Sequence, residues 1–106
     1  MFFELRQYRM QPGKQQEFAE FMDTVVVPFQ RARGMVIVGN FIGEDDESVY
    51  VWIRRFRDEA ERVAQYEAVY QSDTWKTEIA PRLPDLMDRS QIVVTRLTAT
   101  EKSVIQ

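Results

Sequence analysis

The sequence predicts an α+β domain whose elements follow one another in the order β-α-β-β-α-β. Three observations carry this prediction. Apolar side chains alternate along residues 2–10 and 49–56, as they do in strands. An amphipathic stripe follows the first of these segments, and a helix with an N-terminal cap pattern follows the second. We expect one domain over residues 1–98 and a polar tail over residues 99–106.

The first helix is predicted by apolar side chains that recur at helical spacing after a turn at Pro12 and Gly13. These side chains are Phe18, Phe21, Met22, Val25, Val26 and Phe29. Pro28 lies within the stripe, and it has no N–H to donate to the Thr24 carbonyl. We therefore expect the helix to kink or break near Pro28 and to end at Gly34, which suits a left-handed residue.

The remaining elements follow from β-branched runs, caps and breakers. Residues 35–43 (MVIVGNFIG) and 49–56 (VYVWIRRF) predict two strands joined by the acidic loop EDDES. Asp58 and Glu61 have the spacing of a capping box at the start of the second helix. Pro81 and Pro84 divide the chain behind it into short turns, and residues 90–98 predict the last strand.

This element order is the split β-α-β arrangement of ferredoxin-like folds, a four-stranded antiparallel sheet with both helices on one face. Right-handed crossovers place the first and third strands side by side in the middle, which leaves the other sheet face open. Alternation separates two sets of side chains along these strands. We expect the helix-facing set to be Phe3, Leu5, Val49, Val51 and Ile53. The open face would carry Glu4, Arg6, Tyr8, Tyr50, Trp52 and Arg54.

Antiparallel pairing of the two central strands gives this second set favourable cross-strand neighbours. The expected pairs are Tyr8 with Tyr50, Arg6 with Trp52, and Glu4 with Arg54, the last as an ion pair. Two tyrosines and a tryptophan left in water would form a large exposed apolar patch. A second copy of the chain is the simplest cover for such a face, so the sequence predicts a homodimer.

Composition excludes several classes of function. The chain has no cysteine and no histidine, which excludes disulfides, thiolate chemistry and the usual zinc, iron–sulfur and haem ligands. A net charge of −3 provides no basic field for nucleic acid or for an anionic membrane surface. No segment has the roughly 20 apolar residues of a membrane helix, and no secretory signal opens the chain, so we expect a cytoplasmic protein.

No cofactor or metal is expected either. Gly34, Gly39 and Gly43 do not form a phosphate-binding loop. The acidic loop at residues 44–48 lacks the spacing and the glycine of a calcium loop, and a solvated hairpin tip explains it.

The stretch FELRQYRMQPGKQQEFAEF resembles the opening of NIPSNAP-family domains, in which a Tyr/Phe-Glu-Leu-Arg-x-Tyr strand runs into Pro-Gly-Lys. The likeness continues through Pro28, Gly34, the segment VYVWIRRF and residues 70–75. Tyr50 departs from the histidine of many members. The family is similar to the dimeric α+β barrel superfamily, whose sheets meet across their open faces. The resemblance therefore implies that Glu4, Arg6 and Tyr8 face the inside of a dimeric barrel.

Two functions remain open for these side chains. In the first, the domain is not an enzyme and binds a small apolar or acidic organic molecule, with Arg6, Tyr50, Trp52 and Arg54 as ligand contacts. These polar side chains could equally form a hydrogen-bonded network that only specifies the dimer. In the second, the domain is a cofactor-independent enzyme of the monooxygenase or isomerase type that the barrel superfamily contains. Glu4 would then act as general base, and Tyr8 or Tyr50 as acid or hydrogen-bond donor.

Overall fold

The sheet has four antiparallel strands, and the computed structural model describes all 106 residues. The strands are β1 (Phe2–Met10), β2 (Val36–Ile42), β3 (Val49–Phe56) and β4 (Met87–Leu97). Their order across the sheet is β2-β3-β1-β4, so β1 and β3 are central and adjacent. The predicted ferredoxin-like topology is confirmed. None of the helices combines the length and the apolar character that a membrane span requires.

The first helical region runs without a break from α1 (Gln15–Phe21) through a π-helical segment (Met22–Val26) to α2 (Val27–Ala32). The predicted irregularity near Pro28 is present, but it is a π turn rather than a break. The Val27 N–H donates to the Met22 carbonyl, five residues back, which widens the helix just before the proline. Gly34 then closes the region at a φ of 94°, a value that favours glycine.

The second helical region begins at α3 (Glu59–Tyr70) and continues as a π-helical segment (Trp75–Ile79) and a 3₁₀ turn (Ala80–Arg82). The Asp58 carboxylate caps α3 by accepting the Glu61 N–H at 2.8 Å. The Glu61 carboxylate accepts the Arg57 N–H at 3.0 Å, one residue before the cap, and not the Asp58 N–H that a capping box would use. Both helical regions lie on one face of the sheet.

The cross-strand register is the predicted one. Glu4 is opposite Arg54, Arg6 is opposite Trp52, and Tyr8 is opposite Tyr50. The assignment of the two sheet faces, however, is wrong.

Glu4, Arg6, Tyr8, Tyr50, Trp52 and Arg54 face the helices, not the open side. The Phe18 ring of α1 packs on Tyr50 and Tyr8, with centroid distances of 5.0 and 6.0 Å. The Arg54 side chain is fully buried and bonds to Gln30 of α2 and Tyr70 of α3. Aromatic rings bury more surface than Leu or Val, so the core of this small domain forms on the aromatic face. The charges are tolerated there because the helices supply partners for them.

The open face carries the aliphatic set instead. Leu5, Val51 and Ile53 are half-buried, and the Phe41 and Val93 side chains are 53% and 54% exposed. Gly39 lets the Phe41 ring lie across the strand, because a Cβ at this glycine would come within 2.7 Å of the ring.

Phe3 also lies on the open face, yet it is buried. The C-terminal tail lies beside it: Ile105 and Ser103 line an open groove of about 250 Å³ together with Phe3, Ile53 and Leu97. Arg55 holds this tail by donating to the Gln106 carbonyl at 2.8 Å. One end of the open face is therefore covered by the chain itself.

Candidate functional site

A pocket of about 260 Å³ lies between the sheet and the two helical regions. The sheet contributes Arg6, Tyr8, Trp52, Met87, Arg89 and Ile92 to its wall. The helical regions and the turn behind them contribute Met22, Val26, Tyr70, Trp75 and Leu83. Both π-helical segments reach this wall, and π turns of this kind are frequent at functional sites.

A buried ion cluster lies next to the pocket, and Arg6 belongs to both. The Arg54 Nη2 atom donates to Glu4 Oε1 at 2.5 Å, which confirms the predicted ion pair. The Tyr66 hydroxyl lies 2.6 and 2.7 Å from the two Glu4 carboxylate oxygens. Arg6 Nη1 approaches the same carboxylate at 3.3 Å. Glu4 thus holds two guanidinium groups at once.

Glu4 is ionised in this cluster. Burial alone would raise its pKa, but Arg54, the Tyr66 hydroxyl and Arg6 outweigh burial and hold the pKa below the ordinary value. Burial likewise raises the pKa of Tyr66 to about 12, so its hydroxyl keeps the proton that it donates. Glu4 is therefore a counter-ion for Arg6 and Arg54, and it does not line the pocket.

Arg6 presents a donor of the cluster without a protein partner to the pocket. Its Nε donates to the Tyr8 hydroxyl at 2.8 Å, and its Nη1 is shared between Glu4 and Tyr66. Its Nη2 makes no hydrogen bond within the protein, and the side chain is 16% exposed. Burial would lower the pKa of Arg6, but the surrounding Tyr8, Tyr70 and Tyr66 oxygens raise it, so the guanidinium stays charged.

The ion cluster carries a net positive charge. Arg6 and Arg54 bring two positive charges and Glu4 brings one negative charge, so the cluster keeps one positive charge without a protein anion. A buried charge is costly unless it is paired. The only part of the cluster that is open to an outside partner is the Arg6 guanidinium on the pocket wall.

The NIPSNAP family model matches residues 3–102. The chain belongs to the NIPSNAP family. No curated protein matches the sequence significantly.

Solved structures support the same fold for this NIPSNAP domain. Protein Atu4242 from Agrobacterium tumefaciens has a TM-score of 0.89 at 20% identity, with 100% of both chains covered. The NIPSNAP family protein Atu5224 from the same species has a TM-score of 0.85 at 20% identity, covering 99% of this chain and 98% of that chain. A putative antibiotic biosynthesis monooxygenase from Nitrosomonas europaea has a TM-score of 0.68 at 13% identity, covering 93% and 98%.

The structure brings together three of the six predicted site residues of this NIPSNAP domain. Arg6, Tyr8 and Trp52 line the pocket, whereas Glu4 and Arg54 stand behind its wall. Tyr50 lies away from it, and its hydroxyl donates to Asn40 Oδ1 at 3.3 Å. The pocket is on the helix side of the sheet and within one chain, not inside a barrel between two open faces.

The partners that the helices provide were not predicted. Tyr66 and Tyr70 are four residues apart on α3, so they lie on one helix face above Glu4 and Arg54. That spacing could have indicated them as partners of a polar sheet face. Gln30, which is fully buried and accepts from Arg54 at 3.0 Å, has no such signal in the sequence.

Proposed function

We propose that this NIPSNAP domain binds a small organic acid with an apolar, ring-sized body in the pocket between sheet and helices. The observation that carries the proposal is the Arg6 Nη2 group, a charged donor without a protein partner on the wall of the pocket. A carboxylate or enolate oxygen there would complete the charge balance of the cluster.

The rest of the pocket suits the body of such a molecule. Met22, Val26, Leu83, Met87 and Ile92 give it aliphatic surface, and the tryptophan and tyrosine rings give flat surface. Its volume of about 260 Å³ lies just below the usual range for drug-sized ligands, so it favours molecules of one or two rings.

Binding is measurable without a label, because the only two tryptophans of the chain, Trp52 and Trp75, both line the pocket. We expect naphthalene-2-carboxylate to change the tryptophan fluorescence in a saturable way. The matched neutral probe is naphthalene-2-carboxamide, which has the same ring and no charge. We expect the amide to bind at least about tenfold more weakly, because it cannot replace the missing anion.

Arg6→Met should weaken naphthalene-2-carboxylate binding by about 10- to 100-fold, the loss expected for a charge-assisted hydrogen bond. It should leave the affinity for the amide almost unchanged. The matched control is Arg57→Met, which removes an exposed arginine outside the pocket and should alter neither affinity. Equal affinities of wild type for acid and amide would contradict the proposal.

We further propose that the domain is a homodimer whose contact is the aliphatic open face. Leu5, Val51, Ile53 and the exposed Phe41 and Val93 form an apolar surface there, and such surfaces mark interaction sites. A two-fold dimer would pair this face with the same face of a second copy and so remove both from water. The Trp52 side chain, on the helix side, takes no part in this contact.

Val51→Glu should convert the dimer to a folded monomer, because a carboxylate in the middle of the apolar contact cannot find a partner. Light scattering coupled to size exclusion gives the mass, and circular dichroism confirms the fold. Arg57→Met again serves as the control. A wild-type protein that is monomeric at high micromolar concentration, or a Val51→Glu protein with unchanged dimer mass, would refute the open-face dimer.

A binding function has more support than catalysis. The expected general base, Glu4, has both oxygens engaged and a lowered pKa, which makes it a weak base. Tyr8 remains as a proton or hydrogen-bond donor on the wall, since its oxygen accepts from Arg6 and burial raises its pKa. For the alternative, a cofactor-independent monooxygenase or isomerase, the expected acid Tyr8 thus lies on the pocket wall and the expected base Glu4 does not.

A further inference from the structure

Strand β4 departs from regular pairing where it passes the pocket. Asp88 pairs with Arg9, and Val93 pairs with Gln7, so residues 89–92 of β4 all lie opposite the single residue Tyr8. The predicted last strand began at Ser90 and contained no such irregularity. Bulges re-aim side chains and are frequent beside functional sites.

The bulge has a fixed shape because Asp88 ties it together. The Asp88 carboxylate accepts the Ser90 N–H at 3.0 Å, the Ser90 hydroxyl at 2.6 Å and the Gln91 side-chain amide at 2.7 Å. The result is that two side chains of the bulge, Arg89 and Ile92, join the pocket wall. The position of Arg89 at the pocket is therefore built into the strand.

Arg89 is the second cation of the pocket, and it is free. It is exposed and takes part in no ion pair, whereas most arginines of the chain bond to another residue. No Asp or Glu lines the pocket, although the chain has 17 acidic and 14 basic residues. The pocket thus offers the Arg6 Nη2 group, which has no protein partner, and the unpaired Arg89 guanidinium, and its wall carries no anion.

We infer that the ligand class of this pocket is an apolar-bodied dianion, with one anionic group on Arg6 and the second on Arg89. This inference rests on the proposed function. A monoanion would pair with the Arg6 guanidinium and leave Arg89 without a partner, whereas a molecule with two acidic groups on one ring system would pair with both arginines. The Arg6 contact is the more desolvated of the two, so it supplies most of the affinity, and Arg89 supplies selectivity between monoacids and diacids.

The experiment compares diacids with their monoacids by tryptophan fluorescence. The probes are naphthalene-2,6-dicarboxylate against naphthalene-2-carboxylate, and benzene-1,4- and benzene-1,3-dicarboxylate against benzoate. The three diacids sample three separations of the carboxylates. The proteins are wild type, Arg89→Met and, as a matched loss of one exposed arginine outside the pocket, Arg57→Met.

We expect at least one diacid to bind wild type about three- to tenfold more tightly than its monoacid, beyond the statistical advantage of two equivalent carboxylates. Arg89→Met should abolish this preference, because it lowers the affinity for the diacid by about three- to tenfold more than the affinity for the monoacid, while Arg57→Met should keep it. The preference should also shrink as salt rises, because Arg89 is exposed to solvent.

The outcomes separate the two proposals. If monoacids bind and no diacid binds more tightly in wild type, the dianion inference is overturned and the proposed function stands. The dianion inference is also overturned if Arg89→Met keeps the diacid preference. If neither monoacids nor diacids bind, the proposed function fails, and the dianion inference fails with it.

Discussion

Glu4→Gln should lower the free energy of unfolding by about 3–5 kcal/mol, the usual cost of removing one partner of a buried ion pair. The substitution keeps the shape of the side chain but leaves Arg6 and Arg54 with no carboxylate between them. Arg54 is completely buried, and arginine does not lose its proton at working pH, so the two positive charges cannot be relieved. Urea denaturation at pH 7 measures the effect.

The matched control is Glu67→Gln, an exposed position on α3 without an ion pair, which should change stability by less than about 0.5 kcal/mol. Arg54→Met should also destabilise the domain, because Gln30 and Tyr70 lose their buried partner. The double variant should lose less free energy of unfolding than the sum of the two single losses, since Glu4 and Arg54 contact each other. Strict additivity would show that the pair is not coupled.

The same carboxylate gives wild type a defined acid sensitivity. The pKa of Glu4 is lower in the folded state than its ordinary value of 4.5, so the unfolded chain binds the proton more readily. The stabilisation is therefore fully present above pH 4.5 and is lost as the pH falls through the folded pKa. Glu4→Gln should lack this part of the acid transition, and an identical acid profile for the two proteins would argue against it.

Trp52→Glu should abolish folding, whereas Val51→Glu, one residue earlier on β3, should leave a folded domain. Trp52 is 2% exposed and packs between Tyr8 and Arg54, so a carboxylate there would be buried against the core. Val51 points to the opposite face and is only half-buried. The two variants carry the same new charge at neighbouring positions, but Trp52→Glu places it in the core and also removes a large buried ring, whereas Val51→Glu places it on the open face.

Circular dichroism and the dispersion of amide signals in NMR spectra report the outcome. A folded Trp52→Glu protein would overturn the assignment of the aromatic face to the interior. An unfolded Val51→Glu protein would show that the open face is as essential to the fold as the core, and the dimer test would then need a milder change such as Val51→Thr.

The local features of this fold were predictable from the amino-acid sequence, and the features that depend on distant residues were not. The element order, the β1–β3 register and the Glu4–Arg54 pair were predictable, because each depends on local periodicity and on charge. The identity of the inner face was not. Alternation distinguishes two faces without saying which one the helices cover. The decision depended on hydroxyl and amide partners from distant helices, Tyr66, Tyr70 and Gln30.

The pocket depended on features that have no simple sequence signal. Residues 90–98 have the β-branched composition of a regular strand, and nothing in them indicates the bulge that places Arg89. The π turn at Met22–Val26 was predictable only as some deviation near Pro28. Three predicted site residues reached the pocket because polar and aromatic side chains alternated in register, not because their face had been assigned correctly.

The net positive charge of the Glu4–Arg6–Arg54 cluster would make the stability of the domain depend on the ligand that we propose for it. No residue of the cluster neutralises this charge, so the domain without a ligand would lack the stabilisation that a bound anion gives. The organic acid that we propose as ligand would bind Arg6 in the folded chain and not in the unfolded one, and by mass action it would stabilise the fold. The lifetime of the domain in a cell would then follow the concentration of its ligand.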